Sequence, residues 1–587
     1  MLFLLSILNI IGMDADCQEG SKLTLFNQIQ KEIPIIGGNN KTIEGDLIIN
    51  PASLSRDNIS SEIILSNSKI RGKIRIEDLS FHMPIKFENV IFNETVDVLN
   101  CTIDGPIIFN GCKFLKDTNF IEVKFSGDFE SKGTIFLNNV SFIESIFNNI
   151  TIGSGQFYAF ADFSKAIFGK DSSFAGTRFR DQVSFNSAKF NTCNFEGSNL
   201  SNPSYIDTIF NGAADFRGSK FYNYSCFRNA SFIGPADFSE VRFYGIAYFK
   251  KLNFSQECSF YDSQFIRESI FTMSNFNLGT DFESAKFNGN AVFDQSEFNG
   301  DANFKGTVFT GDADFSESIF MAETYFNNAK FLNNDSKVIL HGCEFFNDAT
   351  FEGASINGTL NLENTKYNKL HIRWYNISKF YYDDAAYLLL VENFKKLALY
   401  EDADKCYYKY RVEHRQKPWN LAMYQEKTSN NTLMPMILIK FNDMFDEPFR
   451  KKIDWLLDIL YAYGVEPIRP VYYSIFFIVL FTFIWRSLIS EYKPIYHNLS
   501  QGSSLNDILK RTTAHLKNII RSFNMPFILS VHLFLSGARF IIEPPELPES
   551  INRDSRLVKS LSILERLLGG LFLALFFLAV SRTIIRS

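Results

Sequence analysis

Ala291-Val-Phe293-Asp-Gln-Ser296-Glu-Phe298-Asn-Gly-Asp-Ala302-Asn-Phe304-Lys-Gly-Thr307-Val-Phe309 sets a phenylalanine at alternating intervals of five and six residues. The alternation runs without a miss from Phe210 to Phe331. A helix repeats its apolar positions about every 3.6 residues and a strand every second residue. Neither fits, and a fixed longer period marks a stacked architecture. Two residues before each phenylalanine the side chain is small, as at Ala214, Ser219, Ala236, Thr280 and Ala302; Val241 and Leu252 are apolar exceptions. One large and one small side chain in alternation predict a narrow interior, with Phe271, Phe282, Phe293, Phe304 and Phe315 among its core positions.

The segments Ala161-Asp-Phe163-Ser-Lys-Ala166-Ile-Phe168 and Ala313-Asp-Phe315-Ser-Glu-Ser-Ile-Phe320 resemble the pentapeptide-repeat family, whose motif is a small residue, Asp or Asn, Leu or Phe, and two free positions. The resemblance implies a mainly β fold: a right-handed quadrilateral β-helix with four short faces per coil. With weaker letters the register extends back to Ile43 and forward to Tyr367, so the β-helix is expected over 43–372. That is about fifteen coils, or roughly 70 Å at one strand spacing per coil. The register slips near Ser131, where no large residue occupies the expected place between Phe125 and Phe136. Phe190, Phe195 and Leu200 follow at consecutive fives.

Composition agrees with a repeated aromatic slot: the 587 residues include 64 Phe but 4 Trp. A net charge of −6 gives no basic footprint, so no nucleic-acid partner is expected. Of the 8 cysteines, Cys101, Cys112, Cys193, Cys258 and Cys343 take the small-residue slot and are expected to be reduced and inward. Cys226 falls on an outward position and Cys406 on a helix, neither with an evident partner. The 7 histidines show no metal-ligand spacing. Asp215, Asp237 and Asp281 precede core phenylalanines and read as a solvated acidic face, with calcium binding as the alternative. No catalytic, cofactor or metal set is expected, and the chain reads as a non-enzyme.

Residues 1–16 are apolar and then polar, in the manner of a signal peptide, and 17–42 are expected to cap the first coil. Sequons such as Asn93-Glu-Thr, Asn223-Tyr-Ser and Asn376-Ile-Ser are compatible with an extracytoplasmic location. After the repeat, 380–465 reads as a helical linker. Leu388, Leu389, Phe394 and Leu397 keep helical spacing, and a polar turn is expected at Tyr400-Glu-Asp. The stretch Phe394 to Arg411 is similar to a linker of membrane-bound pentapeptide-repeat proteins. So is Lys452 to Pro470, with Tyr463-Gly464 and Pro467-Ile-Arg469 before the first span. Residues 471–489 and 563–581 are long and apolar enough to be transmembrane helices.

Between them, in 490–562, lies the segment 525–542: Met-Pro526-Phe-Ile-Leu-Ser530-Val-His532-Leu-Phe534-Leu-Ser-Gly537-Ala-Arg539-Phe-Ile-Ile. Span, loop, span resembles the two-helix potassium-channel pore, with Ser530, Gly537 and Pro544 at corresponding places. A potassium filter needs backbone carbonyls freed by glycines. This chain keeps Gly537 and sets Arg539 where the second glycine belongs. The alternative for 525–542 is a re-entrant or interfacial anchor without a pore. Lys493, Lys510, Arg511, Lys517, Arg521, Arg553, Arg556 and Lys559 favour the inter-span segment on the cytoplasmic side, with the β-helix outside. The expected function is structural or protein-binding, with membrane lipid, a protein on the β-helix surface and further copies of the chain as partners. A degenerate ion-channel subunit is the alternative.

Overall fold

A computed structural model describes residues 36–43, 45–49, 58–59, 63–416, 447–489, 523–537, 545–547 and 555–584. The expected signal peptide and the first part of the cap lie outside the described residues. The chain divides into two compact units, Met1–Leu389 and Leu390–Ser587.

The first unit is a parallel β-solenoid. Its strands run from Ile36–Asn39 to Ile377–Phe380. Most are two residues long, and each pairs in parallel with the strand one coil away: Ser231 lies opposite Asn253, and Ala236 opposite Cys258. Such short strands are stable because both edges are paired. Phe293 N–H donates to the Asp314 carbonyl at 2.6 Å, and Asn299 N–H to the Phe276 carbonyl at 2.8 Å. The backbone of one coil is thus satisfied by its neighbours.

Phe271, Phe282, Phe293, Phe304 and Phe315 all have zero exposure. Along the axis the rings stack: Phe271 on Phe293 at 4.7 Å and Phe293 on Phe315 at 5.0 Å, each 4° from parallel. Across the axis they meet edge to face, Phe282 and Phe293 at 5.4 Å and 85°. Both are favoured aromatic geometries, and each ring leaves water at a gain of about 2–3 kcal/mol. The small slot has its own chemistry. Ser274, Ser296 and Ser318 donate to the carbonyls of Phe249, Phe271 and Phe293 at 2.7, 2.7 and 2.6 Å. Cys343 makes the same contact to Phe315 O at 2.8 Å. At these positions the hydrogen of a short polar side chain finds a carbonyl one coil back, whereas Ser225 and Ser263 fill the same slot without such a partner.

Alternate corners carry a residue with left-handed φ every eleven positions: Asn229, Glu240, Lys251, Asp262, Met273, Ser284 and Gln295, with φ between 48° and 61°. The next N–H closes a tight turn onto the preceding phenylalanine, as from Ser296 to Phe293 O at 3.2 Å.

The slip near Ser131 has a simple cause. Phe129 turns inward, 1% exposed and 5.9 Å from Phe109, and takes the small-residue slot opposite Ile107. Ser131 takes the large slot opposite Phe109. Large and small have exchanged places, so the core is filled where spacing alone predicts a gap. Cys226 faces outward as expected but is covered, 5% exposed, beside Tyr224 and Tyr248.

The helices are α1, Asp384–Lys396; α2, Tyr400–His414; α3, Glu447–Tyr461; α4, Ile468–Leu488; α5, Phe523–Leu535; and α6, Arg556–Ile584. In α1 the buried stripe is Tyr387, Leu390, Val391 and Phe394, while Leu388 and Leu389 face outward. The break after α1 falls at Leu397–Leu399, where Ala398 has φ 57°. The polar Tyr400-Glu-Asp opens α2 instead, setting Glu401 and Asp402 at the positive end of the helix dipole.

Candidate functional site

α4 and α6 are both long and apolar enough to cross a membrane. They run antiparallel: Trp485, near the end of α4, meets Glu565 in the first half of α6, whereas Tyr473, near the start of α4, meets Phe572 at 6.2 Å. α5 packs beside them. Phe523 lies edge-on to Phe483 at 5.3 Å with the Arg486 guanidinium 3.9 Å over its ring; further along, Phe534 reaches Phe572.

At the junction of the three helices lies a buried polar cluster. Glu565, Ser530 and Trp485 all have zero exposure. The Trp485 indole N–H donates to Glu565 Oε2 at 2.7 Å, and Ser530 Oγ bonds the other carboxylate oxygen. Ser530 Oγ also lies 2.9 Å from the Ile478 carbonyl. One carboxylate thereby joins α4, α5 and α6. The apolar shell around it is Phe481, Trp485, Leu529, Leu533 and Val558. Buried as they are, these groups present no reactive atom to solvent; their chemistry is to fix three helices in register.

Gly537 follows α5 at a point of close backbone approach. A Cβ there would run into the Arg566 carbonyl and the Gly570 amide, and one on Gly569 into the Phe534 carbonyl. Glycines allow the end of α5 to sit directly on α6. Leu547 packs against the Trp485–Val558 cluster. Arg539 and Pro544, the other residues of the pore-like resemblance, lie outside the described residues. Sequence reasoning singles out Ser530 but neither Glu565 nor Trp485. The available signal was a single glutamate set just before the apolar run that opens at Leu567, where an ionisable group is costly unless paired.

The approach to α4 is held by ion pairs. Arg411 of α2 and Arg415 just after it reach Asp454 and Asp458 of α3 at 2.8 and 3.1 Å. The reversal between α3 and α4 uses left-handed φ at Ala462, Tyr463 and Gly464 (49°, 55° and 81°). Tyr463 OH donates to Asp454 at 2.7 Å, and Arg469 to the Asp458 carbonyl at 3.1 Å. The Tyr-Gly turn and Pro-x-Arg of the sequence therefore lock this reversal.

On the solenoid, the acidic positions before phenylalanine are engaged. Arg217 pairs with Asp215 at 2.6 Å and reaches Asp237 at 3.6 Å, and Asn303 donates to Asp281 at 3.0 Å. Among the described residues no group of His, Cys, Asp or Glu is arranged to hold a metal ion. Another outward column is apolar: Cys226, Tyr248, Ile270 and Val292 lie opposite one another on successive coils. Tyr222 and Tyr244 stack nearby at 5.0 Å. A cleft of about 400 Å³ opens there, lined in part by Asn202, Pro203, Tyr224, Cys226 and Tyr248.

The family model of pentapeptide repeats matches this chain in nine copies, with matched residues 216–264, 260–307 and 282–330. These matches fall within the solenoid. No curated protein matches the chain.

Proposed function

We propose that this protein is a membrane-anchored pentapeptide-repeat solenoid, a right-handed quadrilateral β-helix held outside the cytoplasm, with a structural and protein-binding role. The carrying observation is the polarity of the helices. Phe476, Phe483, Leu567, Phe577 and Leu578 are each more than half exposed, while Glu565 and Ser530 are fully buried. Apolar outside and polar inside suits lipid and is unfavourable in water. α4, with 21 residues, is about 31 Å long, close to the thickness of a bilayer's hydrocarbon core. The basic inter-span segment favours the cytoplasmic side for that loop. The apolar column Tyr248, Ile270 and Val292, beside the Tyr222–Tyr244 stack, is the surface on which a protein partner is expected to dock.

The test is fractionation with alkaline carbonate, followed by protease protection in intact cells. The full chain should stay with the membrane, and a chain ending near residue 450 should be released as a folded solenoid. Extraction of the full chain by carbonate overturns the anchor. Protection of the solenoid in intact cells overturns the orientation alone.

One observation favours the second reading, a degenerate channel subunit. α5 starts beside Arg486 and ends on Gly569 and Gly570, and Leu547 packs against the Trp485–Val558 cluster. A short helix lodged beside two spans is what a pore loop requires, and the sequence sets Arg539 where a potassium filter needs its second glycine. Planar-bilayer recordings of the purified full chain separate the readings: a steady current lost on Gly537 substitution supports the channel, and silence supports the anchor.

A further inference from the structure

We infer that α3 lies at the membrane surface and that Lys451, Lys452 and Trp455 bind the phosphate-bearing headgroups of an anionic phospholipid leaflet. The inference rests on the membrane reading of α4 and α6. α3 has three faces with different neighbours. Its acidic face, Asp454 and Asp458, is neutralised by Arg411 and Arg415. A second face is packed: Leu460 is buried against Phe534, Phe572 and Leu575, with Leu457, Tyr461 and Tyr473 alongside.

The third face is left to the outside. Lys452, Trp455, Leu456 and Ile459 fall at i, i+3, i+4 and i+7 and share one side of the helix. Trp455 is 54% exposed and Leu456 45%, with Ile453 at 41% on its flank. Lys451 and Lys452 are exposed as well. A helix with an apolar face bordered by lysines and carrying a tryptophan has the composition of an interfacial helix. The left-handed turn at Ala462–Gly464 stops α3 from continuing as part of α4. Lipid is the occupant that also fits the next element, because Ile468, Tyr472 and Ile475 at the start of α4 are each more than half exposed.

The lysines and the indole share a shallow cleft of about 530 Å³, lined by Arg415, Gln416, Lys451, Lys452 and Trp455. Arg415 at its rim is already paired with Asp458, and the two lysine ammonium groups with the indole at its edge suit headgroup depth. Phosphate oxygens can accept from the ammonium groups while Trp455, Leu456 and Ile453 enter the acyl boundary. A free phosphate compound offers the same anion but nothing for the three apolar side chains.

The experiment reconstitutes the full chain into vesicles of phosphatidylcholine and phosphatidylglycerol, with bromine on the acyl chains of one lipid at a time. Trp455 emission is obtained as the difference between wild type and Trp455→Phe. Brominated phosphatidylglycerol should quench Trp455 more strongly than brominated phosphatidylcholine at equal content, with about fivefold enrichment for a lysine at an anionic surface. Lys451→Gln with Lys452→Gln should abolish the preference, and the two Arg replacements should keep it. Equal quenching by both lipids, or none, in vesicles that retain the protein through an alkaline wash overturns the headgroup site and leaves the anchor standing. Loss of the preference on adding soluble glycerol phosphate assigns the cleft to a free anion and overturns the inference. Release of the protein by the wash removes the anchor and the inference together.

Discussion

The Trp485 indole and the Glu565 carboxylate meet at 2.7 Å across 80 residues of sequence, inside a shell of apolar side chains. With Ser530 on the other oxygen, the carboxylate links all three helices. Glu565→Gln keeps an acceptor for Trp485 and a donor for Ser530. Glu565→Ala leaves the Trp485 indole without its partner and Ser530 with the Ile478 carbonyl alone. Such a buried loss costs about 1–3 kcal/mol. The alanine variant should therefore melt well below wild type in detergent, with Trp485 emission as the probe, and the glutamine variant close to it. Equal melting of the alanine variant and wild type would show that the junction is held by packing alone.

Phe293 stacks on Phe271 and Phe315 and meets Phe282 and Phe304 edge to face. Phe293→Ala removes a ring from both sets and should cost about 3–5 kcal/mol. Because coils contact only their neighbours, the loss should be local. Amide exchange should quicken in the coils on either side of Phe293 and stay slow near Phe109. Uniform exchange across the solenoid would contradict nearest-neighbour stacking.

Tyr205 occupies a phenylalanine position, stacked between Phe185 at 5.1 Å and Phe227 at 4.5 Å. Its hydroxyl is buried without a hydrogen-bond partner. Tyr205→Phe removes that unsatisfied group and keeps the ring, so it should raise stability by about 1–2 kcal/mol. A higher denaturant midpoint is the expected readout. A lower one would mean that the hydroxyl is bonded in solution.

Burial pushes the Cys112 thiol up to about 12, and burial raises Cys258 and Cys343 in the same direction. A thiol whose folded value lies above its unfolded one contributes stability in full below the unfolded value. That contribution is lost as pH rises through the folded value. Stability should therefore fall between about pH 9 and about pH 12, by up to about 1.4 kcal/mol per pH unit for each such thiol. Cys112→Ala should flatten the fall. Maleimide should leave Cys258 and Cys343 unmodified in the native protein near neutral pH, and fast labelling of either would refute the burial.

Phe293 could be placed inside from sequence because a period of five and six admits no other regular structure. Phe129 could not. An exchange of large and small between two inward slots keeps both side chains inside, and spacing alone reads it as a gap. The α1 stripe was blurred for a related reason: Leu388 and Leu389 are as apolar as Leu390, and only packing decides which of three leucines is buried. Ser530 and Gly537 drew attention through a resemblance. Their neighbours Glu565 and Gly570 lie more than 30 residues away in sequence, and no local pattern joins them.

The exchange at Phe129 and Ser131, together with the foreshortened turns near Leu200, has a consequence for how the chain finds its fold. A ladder of like rungs is degenerate: slipping one turn sets phenylalanine on phenylalanine again, at almost no cost in energy. Such a slip would trap a folding chain in a mispaired state. The irregular turns break that translational symmetry, because a slipped chain would stack Phe129 over the wrong slot. They act as a landmark from which every later turn is counted, and a chain built of perfectly uniform turns should refold more slowly and into more than one product.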